Sequence, residues 1–160
     1  MTFQFSPETD LSLERRIAAS PANVWRCWTD PDLLVRWFCP APWQTTEARI
    51  DLRPGGAFFT AMEGPLPDGT QGSNASEGCF LDVIPERRLV FTDALRADYR
   101  PNGKGFMTAV LTFEPDGAGT LYRAEVLHND PETRQSHETM GFHDGWGTAA
   151  AQLEELAKTL

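Results

Sequence analysis

The residues of this chain with reactive or ligating side chains are three histidines and three cysteines, alongside a large set of aromatic and methionine side chains. Metal-binding histidine pairs on a helix sit three or four residues apart, on one face. His137 and His143 are six apart, which sends them to different faces, and His128 lies further back, so the spacing predicts no metal centre. His137 and Met140 are candidates for the mouth of a pocket, with a plain surface histidine as the alternative. Cys27, Cys39 and Cys79 are odd in number and hold no Cys-x-x-Cys pair, so neither a disulfide framework nor a zinc knuckle is expected. Cys39 follows Trp37-Phe38 directly and is either a pocket thiol or an inert small hydrophobe. There is no Gly-x-Ser-x-Gly and no cysteine with an evident histidine partner, so nucleophilic catalysis finds no support. Pro54-Gly55-Gly56 runs into a strand rather than a helix, which excludes a glycine-rich phosphate loop. Arg53, Asp93, Arg123 and Glu125 fall in strand-like segments. A charge facing the interior needs a partner, and one of these would orient a ligand's polar end or act as acid or base; otherwise they belong to a solvated outer face.

The largest group is apolar. Trp37, Phe38, Trp43, Phe58, Phe80, Phe91, Phe142 and Trp146, with Met62 and Met140, are either ordinary core or the wall of a site for an apolar ligand. Methionine is the flexible element of such walls.

These residues must be positioned by local elements, and the chain marks them clearly. Leu11, Leu13, Arg15 and Ile17 recur at a period of two, a first strand after a polar segment 1–10 that is expected to be flexible. Ser20-Pro21 reads as an N-cap followed by proline in the first helical turn, and Val24, Trp25 and Trp28 form one face. Asp30-Pro31 starts a second short helix with Leu33, Leu34, Trp37 and Phe38 inward, stopped by Pro40 and Pro42. Strands are predicted over 48–52, 57–63, 77–84, 88–95, 106–114 and 120–128, with loops over 64–74 and 98–105. Short links between them imply an antiparallel sheet. From Phe142 the apolar period becomes three or four and continues to Leu160, which predicts one long helix. Asp130-Pro131 is a plausible start, weakened by Gly141, Gly145 and Gly147.

Composition narrows the partners. With 160 residues, 41% hydrophobic and 23% charged, the chain is sized for one domain that buries roughly 70% of its unfolded surface. Lys and Arg number 14 against 23 Asp and Glu, for a net charge of −9. Phosphate neutralisation needs the reverse balance, so neither nucleic acid nor an anionic membrane is expected as a partner. Met1 to Asp10 has no basic start and no apolar run, so no signal peptide is expected, and reduced thiols suit the cytoplasm. Sheet edges and aromatics such as Trp43 offer surface for a homodimer.

The order of elements implies an architecture. A sheet of about seven strands twists and curves, and one long helix must cover its concave face. One helix fills that space incompletely, so a hollow between helix and sheet is expected, and hollows of this kind are small-ligand sites.

Arg16-Ile17-Ala18-Ala19-Ser20-Pro21-Ala22-Asn23-Val24-Trp25, then Trp28-Thr29-Asp30-Pro31-Asp32-Leu33-Leu34 and Trp37-Phe38, resembles the opening of the family of homologues of the activator of the Hsp ATPase chaperone. The resemblance continues in Asp51 to Phe58, in Arg88-Leu89-Val90-Phe91-Thr92 and in Gly145-Trp146. It implies the START-like (SRPBCC) helix-grip fold: an α+β domain over 11–160, with a curved antiparallel sheet around a long C-terminal helix and two short helices after the first strand. It implies a cytoplasmic protein but fixes no function. The leading expectation is binding of a small hydrophobic or amphipathic molecule at the ten aromatic and methionine positions, with no cofactor. The alternatives are a chaperone partner, expected to need a further N-terminal domain, and an enzyme acting inside the cavity.

Overall fold

A computed structural model describes residues 3–160. Of the polar segment 1–10, whose first two residues lie outside the described ones, residues 6–10 form a turn in which the Ser6 N–H donates to the Asp10 carboxylate at 2.8 Å. Strand β1 (Asp10–Ile17) follows. Helix α1 (Pro21–Thr29) begins where a hydroxyl can satisfy a free backbone donor: Ser20 Oγ accepts from the Asn23 N–H at 3.2 Å. Helix α2 (Pro31–Leu34) repeats the device, with Asp30 accepting from the Asp32 N–H at 2.9 Å. The strands that follow are β2 (Gln44–Ile50), β3 (Ala57–Pro65), β4 (Gln71–Ile84), β5 (Arg88–Thr92), the two-residue β6 (Leu95–Arg96) and β7 (Arg100–Pro101), β8 (Thr108–Asp116) and β9 (Gly119–Leu127). Helices α3 (Pro131–Thr139) and α4 (Phe142–Ala157) close the chain.

Seven strands make one antiparallel sheet in the order β1-β9-β8-β5-β4-β3-β2, and β6 pairs with β7 apart from it. This is the α+β helix-grip architecture that the element order implied. The first strand pairs with the last, so Tyr122 on β9 lies between Arg15 on β1 and Phe113 on β8. The segment 64–74, expected as a loop, is mostly ladder, with Gly64 opposite Gly72 and Pro65 opposite Gln71. The reason is the indole of Trp43, which lies across both glycines: a Cβ built on Gly64 would meet it at 2.2 Å, and one on Gly72 at 3.2 Å. The glycines that read as loop signals are there to let a ring pack flat on a hairpin. Trp43 is thereby half-buried on the far edge of the sheet rather than offered as free surface.

The last helix is also corrected. The apolar period runs on, but the helix is broken into α3 and α4 by Gly141, which adopts φ +102°. α3 starts at Asp130, whose carboxylate accepts from the Thr133 N–H at 2.7 Å. α4 buries Phe142, Ala150, Leu153, Leu156 and Ala157 in a core that includes Leu111 and Phe113 of β8 and Ala124 and Val126 of β9. Glu154 pins it to β1: one oxygen accepts from Arg15 at 2.8 Å and the other from the Ala18 N–H at 2.7 Å. Those bonds favour the ionised carboxylate, the backbone N–H most, and lower the Glu154 pKa.

Candidate functional site

The end of the concave face between α1 and α4 holds a packed aromatic array. Phe58, Phe80 and Phe91 are its floor, with Phe58 stacked on Phe80 at 5.0 Å and edge-on to Phe91 at 4.9 Å. Trp28 and Phe38 lie over this floor, Trp28 at 5.9 Å from Phe91 and Phe38 at 5.8 Å from Phe58. Trp37 packs beside Trp28 at 4.8 Å, and its indole N–H donates to the Cys27 carbonyl at 2.9 Å. Such pairs each contribute about 0.5–1.5 kcal/mol beyond area burial. The short helices are therefore anchored by their rings on the sheet.

Above this layer is a hollow of about 270 Å³. Its walls are Trp28 from α1, Trp37 to Pro40 after α2, Met62 from β3, Tyr122 from β9, His137 from α3, Met140 and Gly141 at the helix break, and Phe142, Gly145, Trp146, Ala149 and Ala150 from α4. The structure thus brings together six of the ten aromatic and methionine positions: Trp37, Phe38, Met62, Met140, Phe142 and Trp146. Phe142 and Trp146, one helical turn apart, stack at 5.5 Å. Met140 is 73% exposed, at the rim. The other four do not line the hollow. Phe58, Phe80 and Phe91 lie under the layer that the short helices insert, and Trp43 is outside, on the hairpin glycines. Arg53, Asp93, Arg123 and Glu125 are not on the wall either. Arg123 meets Glu14 at 2.9 Å, and Asp93 accepts from the Phe106 N–H at 2.7 Å.

Trp28, Tyr122 and His137 bring buried polar groups to this wall. Trp28 is 3% exposed and its indole N–H has no hydrogen-bond partner among the described residues. The Tyr122 phenol is pushed well above its usual pKa by burial; the nearby Trp28 N–H opposes that shift without forming a hydrogen bond of normal geometry. His137, whose alternative reading was a plain surface residue, is buried, and its Nδ1 lies 2.9 Å from Nε2 of His128. Sequence spacing gave no hint of this pair, because His128 follows β9 while His137 lies on α3 and only the sheet-to-helix turn joins them. His128 Nδ1 in turn lies 2.8 Å from the Thr9 carbonyl oxygen. Phe106 and Phe142 flank the His137 ring at 4.7 and 5.1 Å. Burial, then the neighbouring His128, push the His137 pKa down to about 4. The Cys39 thiol is also on the wall, and burial raises its pKa, so it stays protonated at neutral pH. Among the described residues no group of three His, Cys, Asp or Glu side chains is placed to hold a metal ion.

Sheet, plugging helices and gripping C-terminal helix define the START-like class of helix-grip domains. Within it the chain belongs to the activator of Hsp90 ATPase homolog 1-like family, whose model matches residues 18–158. It is similar to a crystal structure of a Nitrosomonas europaea protein, with 48% identity over 97% of each chain and a TM-score of 0.88. A Mycobacterium smegmatis protein gives 27% identity over 93% of this chain and 90% of that one, with a TM-score of 0.76. An AHSA1-like protein from Aeromonas hydrophila shares the fold at 23% identity, over 94% and 92% of the two chains, with a TM-score of 0.69. Comparison with curated proteins gives no match. No described helix is long and apolar enough to cross a membrane.

Proposed function

We propose that the hollow between α4 and the sheet is a binding cavity for a small, mostly apolar molecule, in a cytoplasmic protein. The observation that carries this reading is the choice of residues on α4. Gly145, Ala149 and Ala150 face the hollow, where a Leu or Phe at the same positions would have filled it. Closely packed interiors leave few voids larger than a water molecule, so an open one ringed by Trp, Phe and Met supports occupancy by something else. At about 270 Å³ it lies just below the range of about 300–1,000 Å³ usual for ligand pockets, which suits a compact ligand.

The test is a fluorescence titration with N-phenyl-1-naphthylamine, a neutral apolar dye, combined with native mass spectrometry of the purified protein. Saturable binding that Ala149→Leu abolishes is the expected result. No binding by the unmodified protein, or binding indifferent to Ala149→Leu, overturns the proposal. The family description supports a second reading, a chaperone partner; co-purification with an Hsp90 ATPase whose turnover rises on addition of this protein would favour it.

A further inference from the structure

His128 and His137 form a chain of hydrogen bonds that starts at the Thr9 carbonyl and ends at the cavity. A backbone carbonyl only accepts, so His128 Nδ1 must donate its proton to Thr9 O. In a neutral pair His128 Nε2 is then a bare acceptor, and His137 Nδ1 must donate to it. His137 Nε2 is left with a lone pair. The ring carrying it lines the cavity between Phe106 and Phe142, and that nitrogen has no hydrogen-bond partner among the described residues.

We propose that His137 Nε2 is the polar anchor of the cavity and accepts a hydrogen bond from an O–H or N–H of the ligand, so that the site prefers neutral phenols and alcohols to carboxylates of the same shape. This rests on the cavity-binding reading and names its ligand class. Two further observations point the same way. No Asp, Glu, Lys or Arg is among the described wall residues, so a carboxylate would lose its hydration without meeting a cation. His137 does not supply one, since its burial and His128 keep it neutral. The Tyr122 phenol is on the same wall, makes no hydrogen bond of normal geometry among the described residues, and offers its hydroxyl to a ligand oxygen. A ligand hydroxyl both donates and accepts, which matches a wall carrying a free imidazole acceptor and a phenol hydroxyl; a hydrocarbon leaves both unused.

Naphthalene, 2-naphthol and 2-naphthoate separate these cases at neutral pH by calorimetric titration of the unmodified protein. 2-Naphthol is expected to bind about three- to tenfold more tightly than naphthalene, the worth of one neutral hydrogen bond, and 2-naphthoate more weakly than both. His137→Phe is expected to bring 2-naphthol down to the naphthalene level. Because that variant leaves His128 Nε2 without a donor and its folding is at risk, nitrogen-15 NMR of the unmodified protein gives an independent reading. Both histidines should be Nδ1–H tautomers, and the His137 Nε2 resonance should move on addition of 2-naphthol. Equal affinities for 2-naphthol and naphthalene, tighter binding of 2-naphthoate, or an unmoved Nε2 resonance overturns the anchor while leaving the cavity reading intact. Failure of both naphthalene and 2-naphthol to bind overturns the cavity reading and the anchor with it.

Discussion

Gln152 on α4 donates its side-chain amide to the carbonyl of Cys39 at 2.7 Å, on the wall of the cavity. The same amide donates to the Trp37 carbonyl at 2.9 Å, and its oxygen accepts from the Ala41 N–H at 3.0 Å. Cys39 needs such support, since it holds φ +140°, a conformation that L residues rarely adopt and that costs of order 1–3 kcal/mol. One side chain thus fastens the segment after α2 to the helix opposite. Gln152→Ala removes three hydrogen bonds at about 1 kcal/mol each. A loss of about 2–3 kcal/mol in urea denaturation is expected, with weaker binding of the apolar dye because the rim at Cys39 loosens. Gln152→Glu should be worse, because a carboxylate turns its lone pairs toward two carbonyls. Unchanged stability in Gln152→Ala would show the clamp to be inert.

The buried His137 makes stability depend on pH, with a definite sign. Its folded pKa is lowered from 6.5 to about 4, so between those values the unfolded chain binds the proton and the folded protein does not. Stability is therefore full above about 6.5, falls as pH drops from there to about 4, and stays level below. The whole span is worth about 3 kcal/mol. The charges that set it are on three elements: His137 itself on α3, His128 after β9, and Asp93 after β5, which partly opposes the shift. Glu154 acts in a different window. Its folded pKa is lowered, so its contribution is present above the ordinary glutamate range and is lost only at lower pH. Urea midpoints measured from pH 7 to about 5 therefore report on His137 rather than Glu154, and His137→Phe should flatten them. A slope that persists in this variant would assign the effect elsewhere.

Much of this was legible in the residues. Ser20-Pro21 and Asp30-Pro31 place two helices to the residue, since a capping oxygen and a proline are local chemistry. Of the ten aromatic and methionine positions, Trp37, Phe38, Met62, Met140, Phe142 and Trp146 meet on one wall. What a one-dimensional pattern does not carry is depth. Phe58, Phe80 and Phe91 face the same way as the wall residues but lie a layer below, and only the insertion of Trp28 and Phe38 decides that. Tyr122 reads as one of several inward positions on β9, with nothing to mark it as the one beneath the hollow. The His128–His137 contact and the covering of Gly64 and Gly72 by Trp43 both join elements whose approach is set by tertiary packing.

Trp146 shows how a wall residue differs from a core one. It is half-buried, stacked on Phe142 and open to the cavity on the other side. A fully packed Trp truncated to Ala costs about 3–5 kcal/mol. A ring already facing empty space has fewer contacts to lose, so Trp146→Ala should cost about 1–2 kcal/mol and enlarge the cavity. Chemical denaturation gives the first quantity, and dye affinity reports the second. A loss above about 3 kcal/mol would place the ring in the core.

Gly145 and Gly147 flank that ring, and their reason for being glycine is not close packing. A Cβ added at either position meets nothing within 4 Å, and neither has a positive φ. Both sit inside α4, where glycine is less favourable than alanine by about 0.8–1.0 kcal/mol. Gly147→Ala is off the cavity wall. It should raise stability by about 0.5–1 kcal/mol and leave dye binding unchanged. Gly145→Ala gains the same helical propensity, yet its new methyl group joins the wall. It should raise stability equally while weakening the dye, because the added volume is taken from the ligand's space. The pair thus separates helix energetics from cavity volume with one methyl group each. Equal effects of the two variants on dye affinity would show that the dye does not reach α4, and loss of stability in both would show that the helix needs its glycines for flexibility.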